Sequence, residues 1–479
     1  MITQECNQVI TASTPQLNQV SAEGLIEQFE QAWALEDTLM NSLVEGDTFY
    51  LNPDPLRNPL IFYLGHSAVF YINKLIRVGL LDQRINPEYE TLFEIGVDPS
   101  TPEELTAATQ SIKWPDVEQV WDYREQAKEA IATAIRYAPL NLPIHQQHPL
   151  WAFLMGIEHS RIHFETSSML IRQLPLHCVQ RPSSWSYAPT TVTPTPSTHA
   201  MAQIPGGKVD LGKAQDALTY GWDSDYGHQR VEVKPFWVSP FLMTNREFLA
   251  FVEAGGYQNP SYWSETAWEW VNQQQVKHPK FWRATVSPQP STSNTDDING
   301  VDRGSHYRYR AMFDDIDLPL DWPVEVNHYE AMAFCRWKGD GIRLLTEAEW
   351  NQALAINGSF STENTYNLDY RWGSPCTVGW LEQSTPFNPK QSTPQKTEYV
   401  YDLRGNVWEW LGDPFAPLPG FHPHDLYADY AQPFFDNQHY LMVGGSWAST
   451  GAYASAQCRN WFRPYFHQHV GFRIARDAE

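Results

Sequence analysis

Cysteine is scarce in this 479-residue chain: Cys6, Cys178, Cys335, Cys376 and Cys458 are widely spaced, and no two form a Cys-x-x-Cys pair. Such a set argues against a disulfide framework or a thiolate zinc site and suits a reducing cytoplasm. Basic clusters are missing as well. The 33 Lys and Arg are outnumbered by 56 Asp and Glu, giving a net charge of −23, which excludes the electrostatic footprint of a nucleic-acid binder. No apolar run approaches the roughly 20 residues that a membrane-crossing helix requires. Residues 1–20 are polar and lack the charged start and apolar centre of a signal peptide. The expectation is a cytoplasmic protein without nucleic-acid or membrane partners, long enough for two or three domains and a large core.

Aromatic residues, by contrast, are abundant at 14%, and most of the 20 Trp lie after residue 220. Before that point, helical periodicity runs through residues 22–45, 59–80, 117–137 and 149–174. In the second stretch Leu64, Phe70, Ile72, Leu75 and Ile76 mark an inward face. Pro55, Pro59 and Pro115 stand at element starts, where proline is tolerated. These stretches predict a four-helix bundle over 21–178 after a flexible N-terminus, 1–20. Residues 179–204, rich in Pro, Ser and Thr, read as an extended connection. Beyond 205 the periodicity is short and mixed, so the fold class is α+β. Helices are expected over 245–254 and 329–338. A third is expected from Thr346, where Thr346-Glu347-Ala348-Glu349 fits a capping box. The polar stretch 285–304 reads as a mobile loop.

Two histidines, His159 and His163, stand four residues apart in the last bundle segment and therefore share a helix face. His66, in another apolar helical stretch, is the best third ligand. Three imidazoles from two helices leave part of a metal's coordination sphere open, as a reactive site requires and a structural one does not. Glu158 and Glu165 flank the pair, and each is either an orienting partner for a ligand ring or part of a solvated face.

In the second half, Pro205-Gly206-Gly207, Thr244-Asn245-Arg246-Glu247-Phe248, Pro323-Val324-Glu325-Val326-Asn327, Arg343-Leu344-Leu345-Thr346-Glu347-Ala348-Glu349-Trp350, Gly405-Asn406-Val407-Trp408-Glu409-Trp410, Gly444-Gly445-Ser446-Trp447 and Gly471-Phe472-Arg473 follow in order. Together they resemble the formylglycine-generating, sulfatase-modifying fold, a C-type-lectin-like domain, over 205–479. The first half resembles a DinB-like bundle. The fusion is similar to the nonheme-iron sulfoxide synthases of thiohistidine biosynthesis. His163-Phe164-Glu165-Thr166-Ser167-Ser168-Met169-Leu170-Ile171-Arg172-Gln173-Leu174-Pro175 resembles the ovothiol branch, the 5-histidylcysteine sulfoxide synthases. Arg459-Asn460-Trp461-Phe462-Arg463 lacks the acidic residue that accompanies γ-glutamylcysteine use, which points to free cysteine.

The resemblance implies Fe(II) held by His66, His159 and His163. Its substrates would be L-histidine, L-cysteine and O2, with a bond formed between cysteine sulfur and imidazole C5. The alternative is an ergothioneine- or selenoneine-type synthase that sulfurises hercynine at C2. A third reading, from another class, is a non-catalytic lectin-like binding module fused to a bundle. Tyr427, and after it Tyr430, is implied as the acid near the metal. Asn460 and Trp461 match positions lining the imidazole pocket, while Arg124 and Arg463 are candidate carboxylate clamps. Residues 405–410 read as a structural turn, and Cys376 and Cys458 as buried free thiols rather than a copper pair. The chain stops at Glu479 with no methyltransferase, so ovothiol as product would imply a separate one acting downstream.

Overall fold

Each long N-terminal helix starts where the sequence permits. Ser21 opens α1 (Ala22–Met40) by accepting a hydrogen bond from the amide of Gly24. Pro59 precedes α2 (Leu60–Arg77), whose residues from Leu60 to Ile72 are all buried. A helix apolar on every side belongs in the middle of a structure. Two short helices follow, α3 (Pro87–Leu92) and α4 (Pro102–Thr109). Then come α5 (Val117–Tyr137) and α6 (Trp151–Arg172). In this computed structural model, which describes residues 16–94, 102–109, 111–192, 200–285, 306–339, 341–357, 366–384 and 399–478, α1, α2, α5 and α6 pack together as a four-helix bundle. Gly156 makes the α2–α6 approach feasible: a Cβ there would sit 2.2 Å from the Tyr71 ring.

The C-terminal part mixes small sheets and helices. Strand β1 (Ala202–Ile204) pairs antiparallel with β4 (Phe236–Val238), which pairs with β12 (Ala475–Asp477), so the two ends of the domain meet. A hairpin joins β2 (Gly207–Leu211) to β3 (Gln229–Val233). A further sheet has the order β5 (Trp282–Ala284), β6 (Tyr307–Arg310), β7 (Asp315–Asp317). The fourth sheet has the order β10 (Asn460–Phe462), β9 (Tyr440–Val443), β8 (Trp408–Pro414), β11 (Val470–Gly471), the last pair parallel. Around these lie α7 (Asn245–Glu253), α8 (Glu265–Gln274), α9 (His328–Lys338), α10 (Glu347–Asn357) and α11 (Trp380–Ser384). The capping box at Thr346 forms: Glu349 N donates to Thr346 Oγ1, and Thr346 N donates to the Glu349 carboxylate. The expected stretch 285–304 lies outside the described residues except for Thr285, as do 1–15 of the N-terminus and 193–199 of the connection.

Helix α6 belongs to both halves. Glu158, Arg161, Glu165, Ser168 and Arg172 recur at spacings of three and four and so form one stripe. Along it, Glu158 accepts from the amide of Ala452, and Glu165 accepts from Trp408 Nε1 at 2.7 Å and from Ser446 and Ser449 Oγ at 2.6 Å each. Farther on, Ser168 meets His469, and Arg172 pairs with Glu325 at 2.7 Å. His159 and His163 occupy the next stripe, about 100° round the helix.

Candidate metal centre at the domain junction

His66 is fixed first by its neighbour across the bundle. Its Nδ1 lies 2.6 Å from the carbonyl oxygen of Phe93. A carbonyl only accepts, so Nδ1 carries the proton and Nε2 is left for a ligand role. Gly65 allows this contact, because a Cβ at that position would fall 2.7 Å from the Phe93 ring. Phe62 stacks on His66 at 4.7 Å, and Phe70 lies flat against His159 at 3.6 Å between ring centres.

The three imidazoles converge. Ring centres are 4.9 Å apart for His66 and His159, 4.6 Å for His66 and His163, and 4.4 Å for His159 and His163. Candidate ligand atoms of all three fall within 4.8 Å of one another. Neither ring nitrogen of His159, nor Nδ1 of His163, has a hydrogen-bond partner. Buried nitrogens left bare are destabilising unless something binds them. Their convergence fits a cation that takes nitrogen ligands. Burial also keeps the imidazoles neutral, the ligand form, by lowering His66 to about 4 and holding His159 and His163 well below the usual 6.5.

His163 opens onto a cavity of about 670 Å³ between the two halves of the chain. The bundle supplies Phe70, Lys74, Thr166 and Leu170; the C-terminal domain supplies Tyr427, Tyr430, Phe434, Tyr453, Asn460 and Trp461. Tyr427 meets Phe70 edge to face at 5.1 Å and lies 6.2 Å from His159 between ring centres. Tyr430 instead stacks on Trp222 at 4.2 Å and abuts Trp461 at 5.1 Å. Burial raises both phenols above their ordinary 10, so both carry a proton at neutral pH. Asn460 donates to Tyr453 Oη at 2.6 Å, and Trp461 stacks on Phe415 at 4.1 Å.

Three sequence expectations are corrected by this geometry. Arg124 is no substrate clamp: its side chain is fully buried in the bundle, paired with Asp37 at 2.5 Å and donating to Leu64 O at 2.8 Å. It also lies over the Trp33 ring, and it does not line the cavity. Glu158 and Glu165 neither orient a histidine nor face solvent, since both are consumed by the α6 interface. Arg463 donates to Gln438 Oε1 and is likewise not part of the cavity wall. Lys74, Tyr453, Phe434 and the Phe93 carbonyl were not anticipated. A different constellation, Ser168 Oγ to His469 Nε2 at 2.8 Å and His469 Nδ1 to Glu325 at 3.3 Å, imitates a nucleophilic triad. Ser168 and His469 are fully buried, and Glu325 is already engaged by Arg172 and Tyr309. No substrate reaches it.

Residues 188–478, more than half of the chain, match the family described as the sulfatase-modifying factor enzyme 1-like domain. The chain belongs to that family. Beyond the sulfatase-modifying factor 1-like part, similarity extends along nearly the whole sequence. A hercynine oxygenase of Mycolicibacterium smegmatis is 27% identical over 94% of this chain and 98% of that protein. Ergothioneine biosynthesis protein 1 of Neurospora crassa is 23% identical over 95% of this chain and 58% of its own length. The Mycobacterium tuberculosis hercynine oxygenase is 31% identical over 52% of this chain and 54% of that protein. The chain thus spans just over half the length of the last two. The names of these relatives belong to ergothioneine biosynthesis and hercynine oxygenation, not to the ovothiol branch that residues 163–175 resemble. Among the described residues no helix is long and apolar enough to cross a membrane.

Proposed function

We propose that this protein is a nonheme Fe(II)- and O2-dependent sulfoxide synthase that joins the sulfur of cysteine to imidazole C2 of hercynine. The observation that carries the reading is the trio of convergent histidines, with bare nitrogens on His159 and His163, opening onto a cavity built by both halves of the chain. Relatives named hercynine oxygenase support the imidazole substrate. So do the Trp461, Phe434 and Tyr430 rings in the cavity wall, since aromatic faces attract quaternary ammonium groups. Phe462 in the same wall, where an acidic residue accompanies γ-glutamylcysteine use, favours free cysteine.

Overall, thiol S–H and imidazole C–H hydrogens leave with one oxygen atom as water, while the other oxygen stays on sulfur. When bound, ferrous iron supplies the redox chemistry for this four-electron reduction of dioxygen. The chain's residues do the rest. Three neutral imidazoles add no negative charge to the site and so favour thiolate as a further ligand. Tyr427, whose ring centre lies 6.2 Å from that of His159 in the cavity wall, carries a phenolic proton for the reduction of oxygen. Phe70, Trp461 and Phe434 give the wall apolar faces beside its charged and amide groups.

A second reading, C5 sulfurisation of histidine in the ovothiol branch, is favoured by the sequence of residues 163–175. One incubation separates the two. The anaerobically iron-loaded protein receives cysteine with either hercynine or histidine, air is admitted, and products are identified by mass spectrometry and proton NMR. A hercynine adduct lacking the C2 proton supports the proposal. A histidine adduct lacking the C5 proton moves the protein to the second reading, and oxygen uptake without either adduct rejects both substrate assignments.

A further inference from the structure

One face of α2 recurs at every turn: His66, Phe70, Lys74 and Arg77 stand at i, i+4, i+8 and i+11. His66 meets the other histidines, and Phe70 covers His159. One turn on, Lys74 Nζ donates to the carbonyl oxygen of Leu426 at 2.6 Å, and Arg77 donates to that of Asp425 at 2.5 Å. These carbonyls belong to the two residues immediately before Tyr427. The Lys74 ammonium also lies 4.7 Å from the centre of the Phe70 ring and 4.7 Å from that of Tyr427. The 425–430 segment is irregular, held locally by turn bonds from Tyr427 N to His424 O and from Tyr430 N to Tyr427 O. Nothing in that local bonding selects which phenol faces the histidines.

We infer that Lys74, assisted by Arg77, is a positioning residue that latches the Tyr427 loop of the C-terminal domain onto the metal-bearing helix and turns this phenol toward the histidines. The use of the phenol rests on the reaction proposed above; the latch itself does not. Three features make lysine fit this place. A charge-assisted bond to a carbonyl is stronger than a neutral one. An ammonium between two ring faces is attracted to both, and the four-carbon stem packs along apolar surface while its head reaches the partner backbone. The single helix face therefore couples three tasks: ligating, covering a ligand ring, and holding the loop that closes the cavity. Tyr430, buttressed by Trp222 and Trp461, receives no such contact from α2.

The test compares Lys74→Met, which keeps the apolar stem, with Lys74→Arg, which restores a donor. Hydrogen–deuterium exchange is followed on the full, metal-free chain. In Lys74→Met the amides of Leu426, Tyr427 and Tyr430 are expected to exchange at least about tenfold faster, while α2 and α6 keep wild-type rates. Lys74→Arg is expected to return to within about twofold of wild type. In turnover, kcat of Lys74→Met falls about tenfold with both KM values changed less than about twofold, because binding is kept and only the phenol is misplaced. Unaltered loop exchange in Lys74→Met overturns the latch, as does Lys74→Arg exchanging as fast as Lys74→Met. The exchange readout needs neither metal nor substrate, so an incorrect substrate assignment leaves it intact.

Discussion

A buried histidine with both ring nitrogens bare is destabilising unless it has a cation to bind, and His159 is such a residue. His159→Ala is therefore expected to lower Fe(II) affinity by at least about 100-fold while the metal-free protein loses little stability; anaerobic titration and urea unfolding read the two effects. Gly65→Ala acts one step removed. Its methyl would meet the Phe93 ring at 2.7 Å, displacing the carbonyl that orients His66, with an expected loss of about 1–3 kcal/mol in stability and roughly 10–100-fold in metal affinity. Tyr427→Phe is expected to reduce product formation about 100-fold or more without changing metal stoichiometry. Tyr430→Phe keeps the ring against Trp222 and Trp461 and should leave the rate near wild type, and steady-state rates under saturating substrates distinguish the two. His159 and His163 were legible because i, i+4 spacing is a local property of a helix. Phe93 was not, since its part depends on a contact across 27 residues, and Arg124 was misread because an arginine in sequence does not reveal whether its partners are substrate or, as here, the Asp37 carboxylate and that of Glu36 at 3.5 Å.

At the scale of elements, α6 carries two adjacent stripes with different tasks. One carries His159 and His163; the other joins the bundle to the C-terminal domain through buried charged and polar groups. Glu165 accepts from Trp408, Ser446 and Ser449, so Glu165→Ala strands three buried donors and is expected to cost about 3 kcal/mol or more. Arg172→Met leaves Glu325 buried without its cation and should cost about 3–5 kcal/mol. Both values are read from denaturant midpoints, and a loss under about 1 kcal/mol would mean the stripe contributes little. The bundle helices were readable because their buried faces are wide and periodic. Helix α8 escaped because only Ala267 and Val271 are buried in it, too thin a pattern to distinguish from an aromatic turn. The partners of Glu158 and Glu165 in the C-terminal domain lie 243 to 294 residues away, so their acidity alone gave no hint of an interface.

At the scale of the whole molecule, neither half holds a complete site. The bundle provides the histidines, and the C-terminal domain provides the phenols, Asn460 and the aromatic wall. Ordered motifs made the second domain legible from sequence, because each marks a turn or core position that the fold requires. Substrate choice was less legible, since it depends on which side chains meet in a cavity assembled from residues 57 to 468. The junction should present one iron, held by three imidazoles, to an incoming thiol. X-ray absorption of the Fe(II)-loaded protein, with and without cysteine, tests this most directly. The expected result is one iron per chain bound by three imidazoles, gaining a sulfur neighbour at about 2.3 Å when cysteine is added. A shell without the three imidazoles, or one that takes up no sulfur, would contradict it.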